Sequence, residues 1–160
     1  MKRQITLYIL LAVLSLGMST TAIAGEWIFG AKTGRVIIGD SAVDTHPTNV
    51  GFVVGYEQSI AVGDLALEGE ITKTTGKGDV AGSKFEVDTQ AIYLAFRSAG
   101  PVYFKAKGGF LQADLDGNKE SGSSYGIGLG VGFGLAQIEL EVTKTAIDPD
   151  ILYASLGFQF

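Results

Sequence analysis

Glu68 with Glu70, Lys105 with Lys107, and Glu139 with Glu141 are three of this chain's pairs of like charges two residues apart. On an extended strand that spacing puts both members of a pair on the same face. Each strand then presents a doubled charge, with Lys32 and Glu57 as single further candidates. If those faces meet inside a narrow enclosure the charges must neutralise one another, because one buried without a partner costs several kcal/mol. The expectation is an ion-pair network in which Glu68, Glu70, Glu139 and Glu141 surround Lys105 and Lys107, with Lys32 and Glu57 at its edge. Such a network is a polar plug or, if partners exchange, a gate for ions.

Other chemistry has less to stand on. His46 is the only histidine; it sits in Asp44-Thr45-His46-Pro47-Thr48, close enough in sequence to Ser41 and Asp44 for a nucleophile, base and acid. No His-X-Ser pattern accompanies it, and no neighbour is placed to orient the imidazole. Asp114-Leu115-Asp116-Gly117-Asn118 has the composition of a calcium loop without its ligand spacing, and Asp116-Gly117 or Gly117-Asn118 reads better as a hairpin turn. The chain has no cysteine, so neither disulfides nor thiolate metal sites are available. No cofactor is expected.

The elements that must position the charges are strands. After Ala24 no segment keeps a helical apolar period, whereas period-two runs recur between clusters of Gly, Asp, Asn, Ser and Pro. Eight strands follow, at Trp27 to Ile38, Asn49 to Gln58, Leu65 to Thr74, Phe85 to Arg97, Val102 to Ala113, Ser123 to Phe133, Gln137 to Thr145 and Leu152 to Phe160. All are about the 9 to 11 residues that a tilted strand needs to cross a bilayer. The connections alternate. Short ones follow strands two, four and six, at Ser59 to Asp64, Ser98 to Pro101 and Gly134 to Ala136. More polar and mostly longer ones lie at Gly39 to Thr48, Thr75 to Lys84, Asp114 to Gly122 and Ala146 to Ile151.

Each strand has a bulky apolar face and a small or polar one. In the sixth, Tyr125, Ile127, Leu129, Val131 and Phe133 alternate with Ser124, Gly126, Gly128, Gly130 and Gly132. The fourth points Ile92, Leu94 and Phe96 outward. The first is least regular, because turning Trp27 and Phe29 outward also turns Arg35 outward. Alternation alone leaves a lipocalin-like soluble barrel open, with the apolar face inside. Three features favour apolar-out. The polar face is mostly Gly, Ser, Thr and Ala. The aromatics Trp27, Phe29, Tyr56, Phe96, Phe104, Phe133, Phe158 and Phe160 gather at the short-turn end, as an interfacial girdle would. No helix follows the last strand.

The 160 residues suit one domain. Charged residues make up 18% of them, below the roughly 25% of soluble domains. Met1 to Ala24 has the form of a secretory leader: Lys2 and Arg3, an apolar core from Ile5 to Leu16, and Ala22-Ile23-Ala24 as a cleavage site. The expected division is a leader over residues 1–24, cleaved after Ala24, and a barrel domain over 25–160. The net charge of −5 becomes more negative when Lys2 and Arg3 leave with the leader. That argues against nucleic acid as a partner.

The final strand, Leu-Tyr-Ala-Ser-Leu-Gly-Phe-Gln-Phe, alternates strictly and ends on Phe160. It resembles the C-terminal signal of bacterial outer-membrane β-barrels, which implies that Tyr153, Leu156, Phe158 and Phe160 form an assembly signal read by the barrel-assembly machinery. Gly63-Asp64-Leu65-Ala66-Leu67-Glu68-Gly69-Glu70 and Leu156-Gly157-Phe158-Gln159-Phe160 are similar to the turn-plus-strand and terminus of the OmpA/OmpX-like group, and the likeness covers essentially all of the mature chain. It implies an all-β, eight-stranded antiparallel up-and-down transmembrane β-barrel in the outer membrane, with both termini periplasmic. Outer-membrane lipids and lipopolysaccharide are the implied partners, with divalent cations bridging loop acids to lipopolysaccharide phosphates as a further idea, and a monomer is the default. The group includes structural anchors, adhesins and small channels. A non-enzymatic envelope or surface role is expected first and a narrow pore second. Third comes a lipid A-modifying enzyme, since enzymes of that kind share the barrel and use a histidine near the outer rim.

Overall fold

The computed structural model describes residues 25–39, 43–147 and 150–160. The leader with its cleavage site, and Asp40, Ser41 and Asp148, lie outside them.

The alternating runs form β1 (Gly25–Ile38), β3 (Thr48–Ile60), β4 (Gly63–Gly76), β7 (Val87–Ser98), β8 (Val102–Leu115), β9 (Asn118–Phe133), β10 (Ala136–Thr145) and β11 (Ile151–Gln159). Three short strands lie in the connections at the other end from the short turns: β2 (Val43–Thr45), β5 (Gly78–Val80) and β6 (Ser83–Phe85). The eight long strands close into an antiparallel barrel in the order β1-β11-β10-β9-β8-β7-β4-β3, and β2-β5-β6 make a separate small sheet. Closure is by β1 on β11, from Gly30 opposite Gln159 to Ile38 opposite Ile151. Phe29 and Phe160 add a reciprocal pair of 2.9 Å backbone bonds at the end of the seam.

Of the stretches expected as loops, Asp114 to Gly122 is almost wholly ordered strand. It is a continuous hairpin interrupted only by Asp116-Gly117, with φ of 49° and 90°. Two successive positive φ values make a type I′ turn, whose twist matches the flanking strands; Gly117 N donates to Asp114 Oδ1 at 2.7 Å. Phe85, expected to open the fourth long strand, instead ends β6.

The apolar faces point outward. Trp27, Phe52, Ile71, Leu94, Phe104, Ile127, Leu129 and Leu140 are all exposed. A water-soluble monomer rarely carries a continuous apolar surface of this size. On β9 the apolar face from Phe133 to Tyr125 covers about 27 Å of extended chain, or ~20 Å along the axis at a tilt near 40°. Aromatic rings line the lower edge across the seam: Trp27 lies 5.5 Å from Tyr56 and 6.4 Å from Phe29, Phe29 lies 6.5 Å from Phe160, and Phe160 lies 6.3 Å from Phe158.

Toward the loop end the sense of the pattern inverts. Arg35, Gln112 and Lys144 face out, while Val36, Ile38, Val87, Leu111, Ala113, Ile147 and Ile151 pack inside as an apolar core with Tyr153. The outward Arg35 that makes the first strand irregular thus stands above the apolar belt, next to a Val36 that is buried. The expectation of a mostly small or polar interior holds for the lower lumen, where Ile28 and Val53 are the large apolar exceptions.

Candidate functional site

Seven of the eight long strands send side chains into the interior of the lower half. Inward positions on β4, β8 and β10 carry the charge pairs seen in the sequence, and β7 adds Arg97, which pairs directly with Lys105 across the strands. Two cations directly opposite one another repel. They are held by Glu68 and Glu139, each of which bridges both. Arg97 donates to Glu68 and, at 2.7 Å, to Glu139; Lys105 lies 3.0 Å from Glu68 and 2.9 Å from Glu139. A second ring sits above the first. Lys32 lies 2.8 Å from Glu70 and 3.0 Å from Glu141, and Lys107 lies 2.6 Å from Glu70 and 2.7 Å from the same Glu141 oxygen. The rings are joined by Lys105 and Glu141 at 3.3 Å.

Each ring holds two cations and two carboxylates, so each is neutral. Glu57 stands outside both, 2.6 Å from Arg97 and partly exposed at the short-turn mouth. Ring members are almost free of solvent: Glu68 is 0% and Lys105 1% exposed. The Tyr103 hydroxyl lies 2.8 Å from Glu139 and 2.7 Å from Gln137, within hydrogen-bond reach of both. Gln159 accepts from Arg97 at 2.9 Å and donates to Glu139 at 2.8 Å. Above the second ring the faces of Tyr93 and Tyr153 lie 3.9 Å from Lys107 Nζ and 5.2 Å from Lys32 Nζ. Both are cation–π distances. The tyrosines separate the ionic layer from the apolar core above.

The bare face of β9 is the counterpart of these long side chains. A Cβ on Gly130 would lie 2.2 Å from the Tyr103 ring, and one on Gly126 would lie 3.1 Å from the Lys107 stem. At Gly126 and Gly130 the stripe is bare because neighbouring side chains lie across it.

The structure brings together all eight charged residues named from the sequence, with one change of place. Lys32, expected at the edge with Glu57, is a full member of the inner ring. Its stem enters from β1, and both of its acceptors lie across the lumen. Arg97 and Gln159 are the members that pattern reading missed. The signal for Arg97 was present: once Ile92, Leu94 and Phe96 face out, parity turns Arg97 in. Of the proposed assembly residues, Leu156, Phe158 and Phe160 are exposed on the outer face, whereas Tyr153 points inward and is 9% exposed.

The catalytic constellation is not assembled among the described residues. Asp44 accepts a bond from Ala81 N at 3.2 Å, and His46 Nδ1 is buried with no hydrogen-bond partner among the described residues. Ser41 lies outside the described residues. An open recess of about 300 Å³ at the short-turn end, lined in part by Asp64, Arg97, Tyr103 and Gln137, reaches the first ring.

No protein-family model matches the sequence, and no curated protein does either. Solved structures do. The N-terminal β-barrel domain of Pseudomonas aeruginosa OprF superposes with a TM-score of 0.60 at 12% identity, over 86% of this chain and 98% of that one. Ail, the attachment invasion locus protein of Yersinia pestis, solved with a heparin analogue, gives 0.51 at 19% identity over 85% and 97%. The outer membrane enzyme PagL gives 0.54 at 13% identity over 83% and 98%. The chain therefore has the fold of the small eight-stranded outer-membrane β-barrels, the OmpA/OmpX-like architecture.

Proposed function

We propose that this chain is an integral protein of the bacterial outer membrane whose barrel is a sealed, non-enzymatic structural element with an envelope-integrity or surface-interaction role. The observation that carries this reading is the filling of the lumen in two layers, paired charges below and an apolar core above. An ion crossing it would have to separate two neutral rings and then pass Val36, Val87, Leu111 and Ile151 without water. The exposed apolar belt supports outer-membrane lipids, with lipopolysaccharide on the loop side, as its surroundings. The outward Leu156, Phe158 and Phe160 support recognition of the last strand by the barrel-assembly machinery. A cleaved leader, residues 1–24, and a monomeric barrel over 25–160 complete the reading.

A second reading, a narrow gated channel, draws on one feature. Glu141 is shared among Lys32, Lys105 and Lys107, so its partners can exchange within the second ring and between the two rings. Single-channel recording of the chain refolded into a planar bilayer separates the two. Stable insertion without current is expected for the sealed barrel; discrete openings altered by Lys105→Gln would replace it with the channel. The enzyme reading is tested by His46→Ala, for which unchanged lipid A acylation in the producing cells is the expected result.

A further inference from the structure

The eight neighbouring strand pairs of the barrel are not equivalent. Seven are joined by a turn or loop in the chain, and the eighth, β1 on β11, joins the two ends of the barrel. Its backbone bonds form only after the ends of the chain meet, so they must offset the closure entropy of the whole barrel. The lumen supplies side-chain bonds that reach across this same boundary. Lys32 of β1 bonds Glu141 of β10, two strands beyond the seam, while its other acceptor, Glu70, is on β4. Arg97, on the wall opposite the seam, bonds Glu57 of β3 on one side of it and Gln159 of β11 on the other. Gly30 lets Gln159 in: a Cβ there would lie 2.6 Å from Gln159 Cγ. On the outer surface the Trp27–Phe29–Phe160–Phe158 stack crosses the seam at its lower end.

We propose that the lumenal network is the latch of the barrel: Lys32 and Gln159 hold the β1–β11 seam closed from inside, and the seam is the place where the barrel opens. Only interactions that differ between the closed and opened states bias that equilibrium. The second ring provides its own control. Lys32 and Lys107 bond the same two carboxylates, Glu70 and Glu141, and both are buried. Lys107 stands on β8, two strands from each acceptor in the sheet that remains when the seam opens, so its bonds survive the opening. The Lys32–Glu141 bond does not. This latch is independent of whether the lumen conducts.

The test is amide hydrogen exchange of the chain refolded into detergent micelles, comparing wild type, Lys32→Met and Lys107→Met. Lys32→Met is expected to speed exchange of the β1 and β11 amides between Gly30 and Ile38 and between Ile151 and Gln159 by about tenfold or more, with the β8–β9 hairpin unchanged. Lys107→Met should leave the seam amides within about twofold of wild type. Equal acceleration of the seam by both variants, or by neither, overturns the latch. Gln159→Leu removes the β11 end of the Arg97 bridge between β3 and β11 without removing a charge, and keeps the test decisive if Lys32→Met does not fold. It should loosen the seam selectively, and uniform acceleration over all strands would also overturn the proposal.

Discussion

Arg97 is the residue on which the first ring depends, because it meets Glu57, Glu68, Glu139 and Gln159 at once. A guanidinium is suited to this: it is planar, stays charged and offers five donors in a fixed fork. Lysine keeps the charge but cannot reach four acceptors in that geometry. Arg97→Met is expected to destabilise the barrel by about 3–5 kcal/mol, since it leaves carboxylates buried with too few partners. Arg97→Lys should fall between it and wild type. Urea unfolding of both variants in lipid vesicles measures this; equal stability of Arg97→Met and wild type would mean that the ring contributes no net stability. A smaller, local effect belongs to Asp116, whose φ of 49° opens the β8–β9 turn. Asp116→Gly is accommodated by that backbone, while a β-branched residue there, as in Asp116→Val, should cost about 1–2 kcal/mol, read in the same unfolding experiment.

At the scale of elements, β9 gives a matched pair of substitutions. A Cβ on Gly130 would meet the Tyr103 ring at 2.2 Å, whereas one on Gly132 has its nearest neighbour, Pro101 O, at 3.9 Å. Gly130→Ala is expected to cost about 1–3 kcal/mol by overpacking, and Gly132→Ala to be close to neutral. Urea midpoints of the two variants check it, and a similar loss in both would point to backbone entropy rather than to Tyr103. The same strand shows what was legible beforehand. Its alternation placed Ile127, Leu129 and Val131 outside and the glycines inside, because period two is a property of the strand alone. The reason for the glycines was not legible, since it depends on which side chains of β8 lie across them. The hairpin also hid its length: polar residues from Asp114 to Gly122 read as loop, yet strands standing in water on both faces carry polar residues on both. Glu68, Glu70, Lys105, Lys107, Glu139 and Glu141 were legible as a set because charges on an otherwise small, polar face have few other places to go. Gln159 was not, because nothing in a neutral amide at the chain end marks it as a partner of Arg97.

For the whole molecule, the inversion of the pattern sets where the apolar belt ends. Below Arg35 and Lys144 the outside is apolar and the inside mainly ionic; above them the outside is polar and the inside mainly apolar, closer to the arrangement of a soluble barrel. No single strand's alternation reveals this, because the period stays two while the meaning of each face reverses. Trp27, the only tryptophan and 55% exposed, lies at the lower edge of the belt. Lipids brominated near the headgroup should therefore quench its fluorescence more than lipids brominated deep in the acyl chains, and no quenching by either would place the apolar face against something other than lipid. The inversion also makes the seal double. Removing charge from the ionic layer, as in Lys105→Ala with Glu139→Ala, leaves the apolar core of Val36, Val87, Leu111 and Ile151 in place. Widening that core alone, as in Val36→Ser with Leu111→Ser, leaves both neutral rings below it. Neither pair of substitutions is expected to give current across a planar bilayer, while the four together should, because each layer blocks a different thing: the rings leave no free charge or room, and the core leaves no water. Current from Lys105→Ala with Glu139→Ala alone would show that the ionic layer is the only barrier and that the apolar core above it already admits water.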